Sequence, residues 1–252
     1  METTPRALEG QTALVTGGAR RVGAEIVRHL HAAGAGVAIH CHRSRAEAQA
    51  LAAELEMQRS GSAAVFTADL RQPDAAPRLI AEVLERFGGL QLLVNNAASF
   101  YPTPWPTVTQ AQWTELMGTN LQAPLFLTQA ASAALRRARG LVLNIVDIHG
   151  MRALPGYLVY STSKAALIHL TRALARELAP EVRVNAIAPG PVLWPEAGMD
   201  EAQRQEIISR TLLQRAGSPA DIAAAVVFFA TAAPYVTGQI LAVDGGRSLR
   251  TA

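Results

Sequence analysis

Lysine is almost absent from this sequence, and so is cysteine. Of the 23 lysine and arginine residues, Lys164 alone is a lysine, and it lies in the stretch YSTSK that begins at Tyr160. The single cysteine, Cys41, excludes an internal disulfide framework and is typical of a reducing cytoplasm. Charged residues make up only 17% of the chain, with a net charge of +3 and the basic residues scattered. This pattern argues against a nucleic-acid partner and against binding to an anionic membrane.

The sequence leads us to expect neither a membrane-spanning run nor a secretory leader. The N-terminal stretch METTPRALEG carries charges and a proline and has no apolar core. The longest uncharged stretch lies between Asp221 and Asp244, but Pro234 and Gly238 interrupt it. We interpret it as a buried helix followed by a core strand. We therefore expect a soluble, cytoplasmic protein.

Half of the 252 residues are hydrophobic, enough for one large α/β domain over residues 1–252. Short apolar runs alternate with longer helical patterns along the whole chain. The predicted strands are TALVTGG, GVAIH, AAVFTAD, LQLLVNNA, GLVLNIVDI, VRVNAIAPG and QILAVDGG. Most lack an alternating pattern, as expected when both faces of a parallel strand are buried. The sequence predicts a Rossmann-type, doubly wound, seven-stranded parallel sheet with helices on both faces.

Two segments interrupt this alternation. Residues 100–109 contain three prolines and predict an irregular loop after the fourth strand. Residues 191–217 are long for a connection after the sixth strand. Since ligands bind beyond the carboxyl ends of the strands in open α/β sheets, we predict that both segments form substrate walls and that 191–217 forms a lid.

A glycine-rich turn, VTGGARRVG, leads from the first predicted strand into the first helix. Gly17 permits a tight turn, Gly23 permits close packing of helix against strand, and the helix N-terminus can bind a pyrophosphate. An ordinary strand-to-helix turn is the alternative, but the position after the first strand favours dinucleotide binding.

The end of the second strand distinguishes the two nicotinamide cofactors. An NAD site usually has an acidic residue there, whereas this chain has His42, Arg43 and Ser44. Arg43 can pair with a 2′-phosphate, which favours NADPH. The alternative is a solvent-exposed basic turn, which would have the same residues. Asp69, after the third strand, can accept a hydrogen bond from the adenine amino group. The backbone that begins at Asn96 can follow the adenosine ribose.

Tyr160 and Lys164 would share one face of a helix. A phenol has a pKa near 10, and a nearby ammonium lowers it by stabilising the phenolate. A compact ammonium can also reach ribose hydroxyls in a way that a planar guanidinium cannot. This explains why lysine stands here in a chain that otherwise uses arginine.

TGGARRVG, NNAASF, Asn120, YSTSK and APG together resemble the short-chain dehydrogenase/reductase superfamily over essentially the whole chain. The resemblance implies that Tyr160 donates the proton, that Lys164 lowers its pKa and holds the ribose, and that Asn120 anchors a water chain. It also implies a homotetramer built partly on the helix that carries Tyr160. The predicted cofactor site comprises Gly17, Arg20, Arg21, Val22, His42, Arg43, Ser44, Asp69, Leu70, Asn96, Ala97, Ala98, Tyr160, Lys164, Pro189 and Gly190.

Several positions depart from the general family pattern. Asp147 stands where the family usually has its catalytic serine, and Arg21 replaces the central glycine of TGxxxGxG. With HRS, SFYPTP and VDGGRSL, these departures resemble the pteridine reductases, which reduce biopterin- and folate-like rings with NADPH. Ala98 stands where members of that branch often have serine, which changes one hydrogen bond to substrate or phosphate.

The chemistry of Asp147 favours the same branch. A carboxylate would repel the alkoxide that develops in ketone reduction, but it suits a ring with N–H donors or a ring nitrogen to be protonated. Phe100 can stack on a flat bicycle; the alternative is that it anchors a loop. Asp147 can equally cap a turn, and Trp194 can pack the lid onto the body. The predicted substrate site comprises Arg21, Ser99, Phe100, Asp147, Tyr160 and Trp194.

We therefore predict an NADPH-dependent pteridine reductase acting on pterins or dihydrofolate, with Asp147, Tyr160, Lys164 and Asn120 as its catalytic residues and no metal site. A carbonyl or 3-oxoacyl reductase of the same superfamily is the nearest alternative. A non-catalytic NADP(H)-binding sensor is the alternative from another class.

Overall fold

The structure is a computed structural model that describes residues 6–194 and 199–249. Its centre is a seven-stranded parallel sheet in the order β3-β2-β1-β4-β5-β6-β7. The strands are β1 (Thr12–Val15), β2 (Gly36–Cys41), β3 (Ala63–Thr67), β4 (Leu92–Asn95), β5 (Leu141–Ile145), β6 (Arg183–Pro189) and β7 (Ile240–Val243). Each predicted strand run contains one of them, so the predicted fold class is confirmed.

Helices cover both faces of the sheet. They are α1 (Arg21–Ala32), α2 (Arg45–Gln58), α3 (Ala75–Phe87), α4 (Gln110–Met117), α5 (Ala123–Ala138), α6 (Leu158–Glu177), α7 (Glu201–Ser209) and α8 (Pro219–Thr231). Buried side chains of α1, α2 and α8 form one core layer with the sheet, and those of α3, α5 and α6 form the other. The strands between the two layers are buried on both faces, which explains their unbroken apolar sequences.

The strand order reverses between β1 and β4. Chain connections leave the carboxyl ends of these two strands in opposite directions, which opens a crevice between them. The turn after β1 and the segment that begins at Asn96 after β4 therefore form the two sides of one cleft.

Buried polar side chains tie α6 to the centre of the sheet. Asn95 of β4 donates to Asn144 of β5 over 2.9 Å, and Asn144 donates to Thr171 of α6, also over 2.9 Å. Because these groups are buried, losing one partner would leave another unpaired. The chain of bonds therefore fixes the register of the helix that carries Tyr160 and Lys164.

The proline-rich loop at 100–109 contains no helix or regular strand, as predicted. Its buried Thr103 accepts a hydrogen bond from the backbone N–H of Val159 and donates its own backbone N–H to Gly156. The loop thereby caps the start of α6. It holds Phe100 beside the first turn of that helix.

The long uncharged stretch near the C-terminus forms α8 and β7, as predicted. β7 is the edge strand and is only partly buried, so the expectation of a core strand was wrong there. Within the described ranges, none of the helices has the length and apolar character needed to cross a membrane.

Candidate active site

A cleft of about 590 Å³ lies beyond the carboxyl ends of β1, β2, β3 and β4. It is the crevice expected where the strand order reverses. The predicted cofactor residues that line it are Gly17, Arg20, Arg21, Val22, His42, Arg43, Ser44, Asp69, Leu70, Asn96, Ala97 and Ala98, and Ser99 lines it as well. The structure therefore brings together the residues predicted for the adenosine and pyrophosphate half of the cofactor.

The turn after β1 leaves no room for side chains at two glycines. Gly17 has a φ of 61°, and a Cβ at Gly23 would lie 2.1 Å from the carbonyl oxygen of Gly17. Asn96 braces the same turn by donating its side-chain N–H to the carbonyl oxygens of Thr16 and Gly17. The backbone can thus approach a pyrophosphate closely at the start of α1.

Arg21 occupies a backbone position that suits glycine. Its φ is 55°, in the left-handed region, which explains why the family pattern has glycine there. The side chain is exposed, and its Nη2 donates to the carbonyl oxygen of Trp194 over 3.0 Å. Arg21 therefore links the cofactor turn to the start of the predicted lid.

His40 is a site residue that the sequence reasoning missed. Its buried ring accepts the backbone N–H of Gly17 at Nδ1 (3.3 Å) and lies 3.1 Å from the carbonyl oxygen of Ala68 through Nε2. Burial lowers the pKa of His40 to about 4, so the ring is neutral at pH 7. These contacts join the glycine-rich turn to the end of β3. A histidine two residues before the basic HRS sequence was the available signal.

The predicted 2′-phosphate end of the cleft is basic. Arg43 is exposed, and no carboxylate in the described part of the chain pairs with it. Arg20 lies 3.8 Å from Glu47, and His42 lies 3.9 Å from Asp69. Asp69 is bound by Arg71, a second residue that the sequence reasoning missed. The Arg71 hydrogen bond holds the pKa of Asp69 well below its usual range.

The catalytic end centres on a short hydrogen bond between Tyr160 and Asp147. The buried Tyr160 hydroxyl donates to Oδ2 of Asp147 over 2.7 Å. The other carboxylate oxygen accepts the backbone N–H of His149 over 2.8 Å and so caps the 3₁₀ turn Ile148–Gly150. Asp147 is therefore both a cap, as the alternative interpretation held, and a direct partner of the tyrosine.

The pKa of Tyr160 is shifted opposite to the expectation. Burial raises it well above 10, and the neighbouring Asp147 carboxylate raises it further. Lys164 Nζ lies 5.8 Å from the centre of the Tyr160 ring and donates to the carbonyl oxygen of Ile145 over 2.9 Å. Burial lowers the pKa of Lys164 to about 8. The expected lowering of the tyrosine pKa by Lys164 is thus outweighed by burial and by Asp147.

Asn120 lies in the π-helical turn Gly118–Gln122, between α4 and α5. Its side-chain NH₂ donates to the carbonyl oxygen of Ser99 and to the hydroxyl of Ser163, both over 3.0 Å. Its Oδ1 accepts the backbone N–H of Ser99 over 2.9 Å. Since both side-chain donors are used, a water held by Asn120 would have to donate to an oxygen of this residue.

Of the predicted substrate residues, Phe100 contacts Tyr160, and Trp194 lies in the predicted lid. The Phe100 ring stacks on Tyr157 at 4.7 Å between centroids and meets Tyr160 edge-on at 4.7 Å. On the lid side, the Trp194 ring lies 6.0 Å from the guanidinium of Arg204 in α7, a contact within the lid. Positions 195–198 of the predicted lid lie outside the described residues.

Pro189 and Gly190 lie at the end of β6, next to β5 and hence near the start of the Asp147 turn. They do not line the cleft described above. A Cβ at Gly190 would lie 2.6 Å from Cα of Asp244, so this glycine is required by the packing of the chain after β7. Their predicted contact with the nicotinamide half stays a prediction.

The sequence model of a protein family described as enoyl-(acyl carrier protein) reductase matches residues 17–248. This chain is a short-chain dehydrogenase/reductase. The match covers the whole cleft and the Tyr160–Lys164 pair, and this short-chain dehydrogenase/reductase has the glycine-rich turn and buried lysine described above.

Named relatives of this short-chain dehydrogenase/reductase act on sugars and on acyl thioesters. It is 38% identical to the L-fucose dehydrogenase of Mus musculus, over 95% of this chain and 89% of that protein. It is 34% identical to the acetoacetyl-CoA reductase of Acinetobacter sp., over 94% of this chain and 98% of that protein. A crystal structure of a blue fluorescent protein from a metagenomic library, in complex with NADPH, superimposes with a TM-score of 0.90 at 35% identity. That match covers 96% of this chain and 99% of the other.

Proposed function

We propose that this short-chain dehydrogenase/reductase is an NADPH-dependent pteridine reductase. The observation that carries the proposal is the 2.7 Å hydrogen bond from Tyr160 to Asp147. A ketone reductase needs a neutral donor at this point, because the carbonyl oxygen gains negative charge during the reaction. A carboxylate favours a substrate that offers N–H groups or a ring nitrogen that takes up a proton.

NADPH is the proposed cofactor, and the cleft fits it. The positive φ of Gly17 and the close contact at Gly23 give the tight turn that lets the backbone approach a pyrophosphate, and Arg43, His42 and Ser44 would hold the 2′-phosphate. The structural relative in complex with NADPH supports this choice. When bound, NADPH supplies the hydride for reduction of the pterin ring.

The residues of this chain would supply the proton. The high pKa of Tyr160 keeps its hydroxyl protonated at neutral pH, and Asp147 fixes the direction of the O–H bond. The proton of the Tyr160 hydroxyl would pass through the Asp147 carboxyl group to the ring nitrogen next to the reduced carbon, and Tyr160 would be left as a phenolate. Lys164, buried behind the tyrosine, would stabilise the phenolate that forms and hold the cofactor ribose.

Phe100 would provide one wall for the flat bicycle. One face of its ring is covered by Tyr157, but the side chain as a whole is 47% exposed. A pterin would stack on the uncovered face, beside the Tyr160 hydroxyl. Arg21 and Trp194, joined by a hydrogen bond, would close the lid side of the site.

A carbonyl or 3-oxoacyl reductase is the second candidate. It is favoured by the acetoacetyl-CoA reductase and L-fucose dehydrogenase relatives and by the description of the matching family. The Tyr160–Lys164 pair suits either reaction. Asp147 is the residue that separates the two candidates.

The test is NADPH oxidation, followed by loss of the near-ultraviolet absorbance of the reduced nicotinamide. The purified protein would be given dihydrobiopterin, biopterin, dihydrofolate or acetoacetyl-CoA in parallel. Asp147→Ser, which installs the usual residue, and Asp147→Asn, which keeps the shape without the charge, would be measured beside the wild type. We expect wild-type turnover of a pterin and a loss of roughly a hundredfold or more in both variants, a typical loss for a proton-transfer group.

Other results of this assay would indicate a different function or a different mechanism. Turnover of acetoacetyl-CoA alone would make the protein a carbonyl reductase and would overturn the proposal. NADPH binding without turnover of any of the four compounds would instead favour a sensor. Pterin turnover that survives in Asp147→Ser would keep the activity but remove Asp147 from its mechanism.

We also propose that the protein is a homotetramer working in a reducing cytoplasm. The assembly is supported by exposed apolar side chains on outward-facing surfaces, among them Trp113, Phe126 and Phe228. The compartment is supported by the single cysteine, Cys41, which is buried.

A further inference from the structure

Through its guanidinium, Arg71 forms two hydrogen bonds to the Asp69 carboxylate at the adenosine end of the cleft. Its Nε donates to Oδ1 over 2.9 Å and its Nη2 donates to Oδ2 over 2.7 Å. Its backbone N–H also donates to Oδ1, over 3.1 Å. A two-pronged bond of this kind is among the strongest that a carboxylate makes. Both oxygens that were expected to face the adenine amino group are thus engaged by Arg71.

The carboxylate of Asp69 lies beside the groups proposed to bind the 2′-phosphate. Its Oδ2 is 3.9 Å from Nε2 of His42, and Asp69, His42 and Arg43 line the same cleft. Asp69 is therefore the middle member of a row of three side chains, Arg71–Asp69–His42, that runs from the end of β3 to the end of β2.

The aliphatic part of the Arg71 side chain faces the turn at Gly118, where the absence of a side chain leaves room for it. A Cβ at Gly118, in the π-helical turn, would lie 3.6 Å from Cγ of Arg71. Glu115 and Thr119, on either side of Gly118 in the chain, line the cleft with Arg71. The hydrogen bonds to Asp69 therefore hold the guanidinium at the edge of the cleft, close to the turn that contains Gly118.

An unpaired carboxylate at this point would oppose phosphate binding in two ways. It would repel the 2′-phosphate directly, and it would draw His42 towards itself as a competing partner. A carboxylate neutralised by a guanidinium has both effects to a smaller extent. NADH, which has no 2′-phosphate, would be much less sensitive to the charge of Asp69.

We infer that Arg71 sets the preference for NADPH over NADH by neutralising Asp69 next to the 2′-phosphate site. Arg71 acts through Asp69 and His42 as a positioning residue, with no contact to the phosphate required. The inference rests on the proposed function in one respect, the choice of NADPH as cofactor.

The experiment measures equilibrium binding of NADPH and of NADH through the fluorescence of the reduced nicotinamide, so that no substrate is needed. In Arg71→Ala, we expect the Kd for NADPH to rise about tenfold while the Kd for NADH changes by less than about twofold, as for loss of one charge-specific interaction. Because the effect is electrostatic, the increase in the Kd for NADPH caused by Arg71→Ala should be smaller at high salt.

A second substitution separates this effect from a general disturbance of the cleft. Asp69→Asn in the Arg71→Ala background removes the exposed carboxylate, so NADPH binding should return to within about twofold to threefold of the Asp69→Asn single variant. The free energy of unfolding of all four proteins, from urea denaturation, shows whether each is folded.

Three other results would overturn the inference about Arg71, and one of them would also overturn the proposed cofactor preference. Equal weakening of both cofactors by Arg71→Ala, or no rescue by Asp69→Asn, would overturn the inference while leaving the NADPH proposal intact. A wild-type protein that binds NADH as tightly as NADPH would overturn the proposed cofactor preference, and the inference with it.

Discussion

At the scale of single residues, the proposed catalytic site contains a deeply buried charged side chain, that of Lys164. Lys164 is completely surrounded by protein, and the ammonium makes one hydrogen bond, to the carbonyl oxygen of Ile145, among its described partners. Burial of a charge costs free energy unless it is well compensated. Burial lowers the pKa of Lys164, so its charge is incompletely compensated, as expected if the proposed catalytic role is maintained at the expense of stability.

We predict that Lys164→Met makes the unliganded protein more stable at pH 7, by about 1 to 3 kcal/mol, while abolishing activity. The pKa is lowered from 10.5 to about 8, so folding disfavours the protonated form. At pH 7 the amine is protonated in both states, and the penalty is fully present. Between about pH 8 and 10.5 the unfolded chain binds more protons than the folded one, so wild-type stability rises relative to the variant.

Urea denaturation of Lys164→Met and wild type at pH 7 and pH 10 measures this difference. Lys164→Arg, which keeps a charge in the same place, is the matched control and should bring no gain in stability. A Met variant that is less stable than wild type at pH 7 would show that the ammonium is fully compensated and would contradict the prediction.

At the scale of elements, His40 joins β2 to two loops that line the proposed cofactor cleft. The ring fills the space between the glycine-rich turn and the end of β3 and pairs a backbone donor with a backbone acceptor. These backbone groups belong to different strand ends, so no regular secondary structure can satisfy them. The neutral ring of His40 therefore connects two backbone segments at the base of the cleft.

We predict that His40→Phe lowers the free energy of unfolding by about 1 to 3 kcal/mol, because it leaves Gly17 N–H and the Ala68 carbonyl oxygen without this partner. Cofactor binding should weaken as well. The pKa of about 4 is below the unfolded value of 6.5, so the folded protein resists protonation of His40. Wild-type stability should fall as the pH drops from 6.5 to 4, and the variant should lack that part of the fall.

The measurement is a set of urea denaturation curves between pH 4 and pH 7. His29→Phe, at a partly exposed position on α1, is a control that removes a histidine without touching the cleft. The same acid dependence in His40→Phe and wild type would show that other groups cause the loss of stability.

Local patterns in the sequence were sufficient for the elements and for much of the site. Apolar runs predict strands, and the spacing of Tyr160 and Lys164 places both on one helix face; neither inference needs tertiary contacts. The direction of the Tyr160 pKa shift could not be predicted, because it depends on burial by Phe100 and on the rotamer of Asp147. The pairing of Arg71 with Asp69 was missed for a similar reason, since every exposed arginine near a carboxylate is a candidate partner until the backbone is known.

At the scale of the whole molecule, the surface carries apolar side chains that the fold leaves without cover. Phe228 on α8 points away from the layer in which its neighbour Phe229 is buried, and Leu241 lies on the edge strand β7. An edge strand with unpaired backbone groups and an apolar side chain is prone to pair with another chain. α8 and β7 are therefore the surface where we expect a second copy to bind in the proposed tetramer.

We predict that Phe228→Arg reduces the assembly to a smaller species, because it places a charge in an interface core where charges are disfavoured. Phe228 is 47% exposed, so the substitution should leave the fold of each subunit intact. Light scattering coupled to size-exclusion chromatography measures the mass, and circular dichroism checks the fold. Met57→Arg is the control: it introduces the same charge at an exposed apolar residue on α2, which is not part of the proposed α8–β7 interface. It should leave the mass of the assembly unchanged. A wild-type protein that is monomeric at micromolar concentration would contradict the prediction and would leave the exposed apolar surface to some other partner.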